Sequence, residues 1–169
     1  MNVLENKITL KPLKKEDVNT FIKWLNKEYI YKRLCPGGEE EKQAWLHEVN
    51  NTDGKYNHFK YFIVNYNGIK IGCGLFLDIY YEQEYLEKNY GIIVNKNSVY
   101  EIGYFIGEEE FLNKGIGKII VKKLEEKIVE IEGKEILADP EPVNIPSIKV
   151  LLSNGFVKIK DCDYRKTIK

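Results

Sequence analysis

The sequence predicts a mixed α+β fold in a single domain spanning residues 1–169, with elements in the order β-α-α-β-β-β-α-β-α-β-β. Three observations carry that prediction. Val18, Phe21, Ile22 and Leu25 recur at i, i+3, i+4 and i+7, the spacing of one helical face. Ile69, Ile71, Cys73, Leu75, Leu77 and Ile79 alternate with period two, directly after the hairpin dipeptide Asn67-Gly68. Tyr100 to Lys127 changes period partway, from strand-like alternation to a helical stripe, at the pair Gly115-Ile116-Gly117.

Taken in order, Ile8, Leu10 and Leu13 mark a first strand, and Pro12 places it at a sheet edge. Residues 15–26 form the first helix. Cys35-Pro36-Gly37-Gly38 is a loop, and Glu39 to Asn50 is a second helix, with acids at its N-terminal end and Trp45, Leu46 and Val49 facing inward. Tyr61 to Tyr66 and the alternating run from Ile69 make a hairpin. On the second strand, Gly72 and Gly74 predict a close approach by another part of the chain. The tyrosine- and glutamate-rich segment from Tyr80 to Val99 reads as a hairpin arm or a binding loop. Ile136-Leu137-Ala138 is a short strand. Asn144 caps a last helix that has Pro146 in its first turn, a buried stripe of Ile148, Leu151 and Leu152, and a stop at Asn154-Gly155. Phe156 to Lys160 and Tyr164 to Ile168 close the chain around Asp161-Cys162-Asp163.

Composition excludes several classes of function. A 43% hydrophobic and 31% charged chain is globular, and a formal net charge of zero advertises neither nucleic acid nor an anionic membrane. No apolar run approaches a bilayer span, and residues 1–14 lack the apolar centre of a signal peptide. Cys35, Cys73 and Cys162 are odd in number and widely spaced, which fits a reducing cytoplasm. Neither they nor His47 and His58 have metal-ligand spacing. The expectation is a cytoplasmic protein without a metal, monomeric or homodimeric.

The glycine pair opens a helix whose apolar positions are Ile116, Ile119, Ile120, Leu124 and Ile128. First-turn N–H groups of a helix are unpaired and partly positive, and glycine lets a ligand approach them, so a diphosphate suits this position. Tight helix–strand packing is the plain alternative. No Gly-x-x-x-x-Gly-Lys-Ser/Thr run exists, and Val121 to Lys123 supply no third glycine for a dinucleotide fingerprint.

The runs GYFIGEEEFLNKGIGKIIVKKL and ADPEPVNIPSIKVLLSNGF resemble the acetyl-CoA-binding core of the GNAT (Gcn5-related) N-acetyltransferases. ITLKPLKKEDVNTFIKWLN and FIVNYNGIKIGCGLF are similar to that family as well, so the resemblance covers nearly the whole chain. The branch it suits holds the aminoglycoside 6'-N-acetyltransferases and the ribosomal-protein N-terminal acetyltransferases. The resemblance implies a split, mostly antiparallel mixed sheet flanked by helices, with acetyl-CoA as cofactor. Pantetheine would pair with the strand at Phe105, Ile106 and Gly107. The diphosphate would sit on backbone N–H groups of Leu112, Asn113, Lys114, Gly115, Ile116 and Gly117, with Lys114 and Lys118 adding charge. Asn144 would contact pantetheine, and Ser147 would lie toward the adenine. Two positions depart from the pattern. Phe111 and Leu112 stand where the family often has Arg or Gln, and Leu151 stands where a tyrosine often protonates the departing thiolate. A leucine cannot donate a proton, so that route is closed.

The implied reaction is direct attack of a primary amine on the acetyl thioester in one ternary complex. An amine is mostly protonated at pH 7, so a base is needed, and backbone N–H groups of the strand would stabilise the oxyanion. Glu101 is the candidate base because it shares a strand face with Gly103. The family carboxylate on this strand aligns nearer Gly103, so the assignment is by face. A solvent-facing strand residue is the plain alternative. Asp139, in an Asp-Pro turn, matches a substrate-binding carboxylate of the motif or simply starts a turn. Asp78 and Glu82, with Glu84 and Glu87, make an acidic cluster suited to a small, aminoglycoside-like cationic amine, or a solvated charged arm. A protein N-terminus is the alternative acceptor. A non-catalytic acyl-CoA-binding module and a cofactor-free interaction domain are the alternative classes.

Overall fold

A computed structural model describes residues 2–168. The chain falls into two compact units. One runs to Gly74 and takes in Tyr104–Ile116; the other comprises Leu75–Gly103 and the chain from Gly117 onward.

The first unit holds helix α1 (Val3–Lys7), strand β1 (Ile8–Pro12), a 3-10 turn at Lys15–Asp17, helices α2 (Val18–Leu25), α3 (Glu28–Leu34) and α4 (Glu39–Val49), and strand β2 (Phe59–Tyr66). It also holds the first half of β3 (Ile69–Asp78) and the end of β4 (Val99–Ile106). β1 pairs antiparallel with β2 from Ile8↔Tyr66 to Pro12↔Phe62, and its other side is an edge, as Pro12 predicts. Asn67 and Gly68 both take positive φ (48° and 83°), the geometry a two-residue hairpin turn requires. The amphipathic face of α2 buries Phe21, Trp24 and Leu25 completely.

The second unit holds the rest of β3, a 3-10 turn at Ile79–Glu82, helix α5 (Gln83–Tyr90) and the first part of β4. Helix α6 (Ile116–Glu130), strand β5 (Glu135–Ala138), helix α7 (Ile145–Ser153) and strands β6 (Val157–Lys160) and β7 (Asp163–Thr167) complete it. β5 pairs antiparallel with β7, and β7 with β6, while β4 and β5 are parallel. The strand order is β1-β2-β3-β4-β5-β7-β6. The α6 stripe of Ile116, Ile119, Ile120, Leu124 and Ile128 is buried as its period requires, each side chain contributing roughly 1.5–3 kcal/mol. The α+β class and the order of the expected elements stand.

Four readings change. The chain adds α1, α3 and α5 to the expected order. α3 has one buried residue, Ile30, and so presents no stripe to detect. The expected arm or loop at Tyr80 to Val99 begins as a turn and helix α5, which buries Leu86 and Tyr90 and ends at Gly91 in the left-handed region. Leu152 is half exposed, so the buried face of α7 rests on Leu151.

Candidate active site

β4 and β5 pair over three residues only, Val99↔Glu135, Tyr100↔Ile136 and Glu101↔Leu137. Glu101 is thus the last residue of β4 paired with β5, and Asp139 is the first residue beyond β5. Glu101 is no solvent-facing side chain. It is largely enclosed, and its Oε2 is buried without a hydrogen-bond partner. Burial first, then the charges of Asp139 and Glu82, push its carboxyl well above the ordinary carboxylate range. Asp139 keeps an exposed edge but is crowded by protein, and that desolvation raises its carboxyl. The opposing influence is Tyr85, whose hydroxyl donates to Asp139 Oδ2 at 2.6 Å.

Tyr85 and Tyr90 lie five residues apart on α5, with ring centroids 6.1 Å apart. Both phenols are pushed up, first by burial and then by the charges of Glu101 and Asp139. Arg165 lies 5.9 Å from the Tyr90 ring centre, but its guanidinium is engaged by Asp163 at 2.7 and 2.9 Å. Sequence reasoning missed both tyrosines. The i, i+4 pair Leu86 and Tyr90 followed by Gly91 was the available signal for the helix that carries them.

Asp78 is a correction. It is buried, and its two oxygens accept backbone N–H groups of Tyr80 (3.1 Å) and Asn97 (2.9 Å). It ties down the turn before α5 and presents no carboxylate to an amine. Glu82 is half-buried close enough to raise Glu101, whereas Glu84 and Glu87 are exposed on α5.

In the first unit, the end of β4 is held by side chains from α2, from α3 and from Lys27 between them. Tyr29 Oη donates to Ile106 O at 2.8 Å, and Lys27 Nζ donates to Gly107 O at 2.6 Å and to Glu108 Oε2 at 3.2 Å. Trp24 Nε1 donates to Glu108 Oε1 at 2.7 Å; this bond, then Lys27, holds the Glu108 carboxyl below its usual range. Burial and the charges of Glu109 and Glu108 push the Tyr29 phenol to about 12. The N–H groups of Gly107 and Glu108 both point to Ile71 O, at 2.7 and 3.2 Å. A Cβ on Gly72 of β3 would stand 2.3 Å from Phe105 O, so the expected close approach is by the backbone of β4. These contacts amend two expectations. Gly107 has its single N–H and one carbonyl lone pair engaged, so its backbone pairing with pantetheine is restricted to the remaining lone pair. Neither Gly107 nor Glu108 has an N–H available for an oxyanion.

Past the 3-10 turn Glu109–Phe111, Asn113 (φ 59°) and Gly115 (φ 77°) both enter the left-handed region just before α6. Alternation of this kind turns successive N–H groups to one side, and α6 adds its own first-turn donors. A Cβ on Gly115 would meet no atom within 4 Å, so the space before this backbone is open. Lys114 and Lys118 are exposed beside it, with the Lys114 ammonium 5.8 Å from the Phe111 ring centre. Donors, charge and open space fit a diphosphate. At α7, Asn144 Oδ1 accepts Ser147 N–H at 3.3 Å, so one lone pair of its oxygen serves the cap and its amide nitrogen is left for a ligand. Leu151 is 2% exposed, a core residue.

A family model described as an acetyltransferase (GNAT) domain matches residues 7–157. The chain belongs to the GNAT acetyltransferase family. Acetyl-CoA is the donor this domain uses. Among solved structures, the aminoglycoside acetyltransferase AAC(6')-Ib in complex with ribostamycin and coenzyme A superposes on this acetyltransferase with a TM-score of 0.75. The two are 22% identical, over 95% of this chain and 93% of the other. An aminoglycoside N(6')-acetyltransferase from Legionella pneumophila gives a TM-score of 0.72 at 16% identity, over 96% and 91%. The Campylobacter jejuni N-acetyltransferase PseH gives 0.59 at 20%, over 96% and 98%. At these identities the likeness is one of fold. Among the described residues no group of His, Cys, Asp or Glu could hold a metal ion, and no helix is long and apolar enough to cross a membrane.

Proposed function

We propose that this GNAT acetyltransferase moves an acetyl group onto the primary amine of a small, cationic acceptor by direct attack. The observation that carries the reading is Glu101: a carboxyl with a buried, unpartnered oxygen, set against a second carboxyl at the end of a parallel strand pair. An uncompensated buried acid is costly unless something enters to meet it. An amine, which is a hydrogen-bond donor and a cation, meets both needs.

The backbone from Leu112 to Gly117 is assigned to the diphosphate of acetyl-CoA, with Lys114 and Lys118 adding positive charge. Asn144 through its amide nitrogen, Ser147 and the backbone of Phe105 and Ile106 are assigned to the rest of the carrier. Bound acetyl-CoA supplies an activated acetyl group. Asp139 anchors the incoming ammonium. Glu101 then takes a proton from the nitrogen and leaves it neutral, a step typically worth 10²–10⁴-fold, roughly, in rate. Glu82 adds negative field at the rim, and Asp78 has no part beyond holding the turn. Solved AAC(6')-Ib structures contain ribostamycin or kanamycin, which are small polyamines, and this supports the acceptor class. The enzyme is read as one catalytic domain of a reducing cytoplasm, which its free Cys35, Cys73 and Cys162 suit.

Release of free thiol from acetyl-CoA, followed across aminoglycosides, polyamines and peptides with free N-termini, tests the proposal. Turnover with small polyamines and not with peptides is expected. Turnover confined to peptides assigns a protein N-terminus as acceptor, and binding of coenzyme A with no turnover on any amine contradicts the proposal.

A further inference from the structure

We propose that Tyr85 is a positioning residue that keeps Asp139 as the charged member of the carboxyl pair and leaves the shared proton on Glu101. This rests on the acceptor site proposed above, and adds to it a division of labour between two acids that the sequence does not distinguish.

Two carboxyls that feel each other's charge, one of them with a buried oxygen, resist ionising together, because each charge disfavours the other. Which one holds the proton depends on hydrogen bonding. Asp139 Oδ2 accepts a 2.6 Å bond from the Tyr85 hydroxyl, a contact that favours the carboxylate. Glu101 Oε2 is buried and accepts nothing, an arrangement that favours the neutral acid. The other groups bearing on the pair reinforce this asymmetry or leave it unchanged. Glu82 acts on Glu101 and disfavours its charge. Tyr90, buried on the same helix, stays a neutral phenol, and Arg165 is matched by Asp163. Tyr85 reaches Asp139 because α5 is a helix capped by Gly91; in a loose arm its ring would have no fixed place.

The chemical consequence concerns the amine. A protonated Glu101 beside a neutral amine contains the same atoms as a Glu101 carboxylate beside an ammonium, with one N–H bond exchanged for one O–H bond. Once Glu101 has lost its resting proton it is the more basic of the two carboxylates, so it is the one that takes a proton from a bound ammonium, while charged Asp139 retains attraction for the acceptor's other ammonium groups. The acceptor class this favours is one with at least two amino groups.

The test is a ¹³C NMR titration of side-chain carboxyls in the free enzyme, with E101Q and D139N to assign the two signals. In the parent, Asp139 is expected to titrate at lower pH than Glu101. Y85F removes a hydroxyl from a side chain that is 36% exposed, so folding is not at stake. It is expected to raise the Asp139 midpoint by about 0.5–1 pH unit. D139N is expected to lower the Glu101 midpoint. Glu101 titrating first, or an Asp139 midpoint unmoved in Y85F, overturns the proposal. Since no acceptor is present, the order of titration is read whether or not acetyl transfer to a small amine is found, and the two ideas fail separately. With a diamine acceptor in hand, Y85F should raise the acceptor KM at acid pH and rejoin the parent at alkaline pH. A uniform loss at every pH would mean a merely structural role and overturn the proposal as well.

Discussion

The end of β4 and the carboxyl cluster around Glu101 lie on the same strand, but their polar groups are treated in opposite ways. At Ile106 to Glu108, both carbonyls, two N–H groups and a carboxylate are met by Tyr29, Lys27, Trp24 and Ile71 O. Around Glu101, one carboxyl oxygen is buried with nothing to bond. A satisfied network fixes backbone geometry; an unsatisfied one stores a demand that a ligand can meet. We read the first region as chiefly scaffold, with Ile106 also facing the carrier, and the second as the proposed amine site. Substitutions should therefore damage stability in one and chemistry in the other.

The largest expected effect on stability is at Gly72. A Cβ there would press on Phe105 O, a backbone atom that cannot step aside, so Gly72→Ala should lower unfolding free energy by about 3 kcal/mol in urea titrations. A smaller effect is expected at Lys27, where Lys27→Met removes bonds to Gly107 O and Glu108. A loss of about 1.5 kcal/mol in stability, with kcat at saturating substrates little changed, would keep this region in the scaffold. A collapse of kcat with stability intact would move it into the site.

Gly115→Ala forces a side chain into a left-handed conformation, worth about 1 kcal/mol, in otherwise open space. It should raise the KM for acetyl-CoA several-fold and leave the KM for the amine alone, as steady-state kinetics would show. The smallest effect is on Glu101 itself as a stability element. Its folded-state pKa is raised, so between the unfolded value and the raised one the native state binds more protons, and stability falls as pH rises through that window. Glu101→Gln should remove this slope. Thermal melts of parent and variant should converge at acid pH, with the variant gaining relative to the parent at alkaline pH.

What could be read from the sequence followed from periodicity and residue chemistry. The stripe on α6, the Asn67-Gly68 hairpin and the Asn144 cap announce themselves locally, and Glu101 and Asp139 stand out there as candidates. What stayed hidden depends on long-range partners. α3 and α5 bury too few residues to show a full stripe, so only the Leu86, Tyr90 and Gly91 spacing pointed to the helix that carries Tyr85 and Tyr90. Asp78 looked like one acid among several because its role depends on Asn97, nineteen residues away. Gly107 looked available to a ligand because the residues that occupy it, Lys27 and Ile71, lie far off in sequence.

The most direct measurement of the central claim is the pH dependence of kcat/KM for acetyl transfer to a diamine, in the parent and in Glu101→Gln. The parent should gain activity with rising pH through a midpoint above the ordinary carboxylate range. The variant should lose about 10²–10⁴-fold in rate, and that limb with it. An unchanged rate with an unchanged profile in Glu101→Gln would contradict Glu101 as the base.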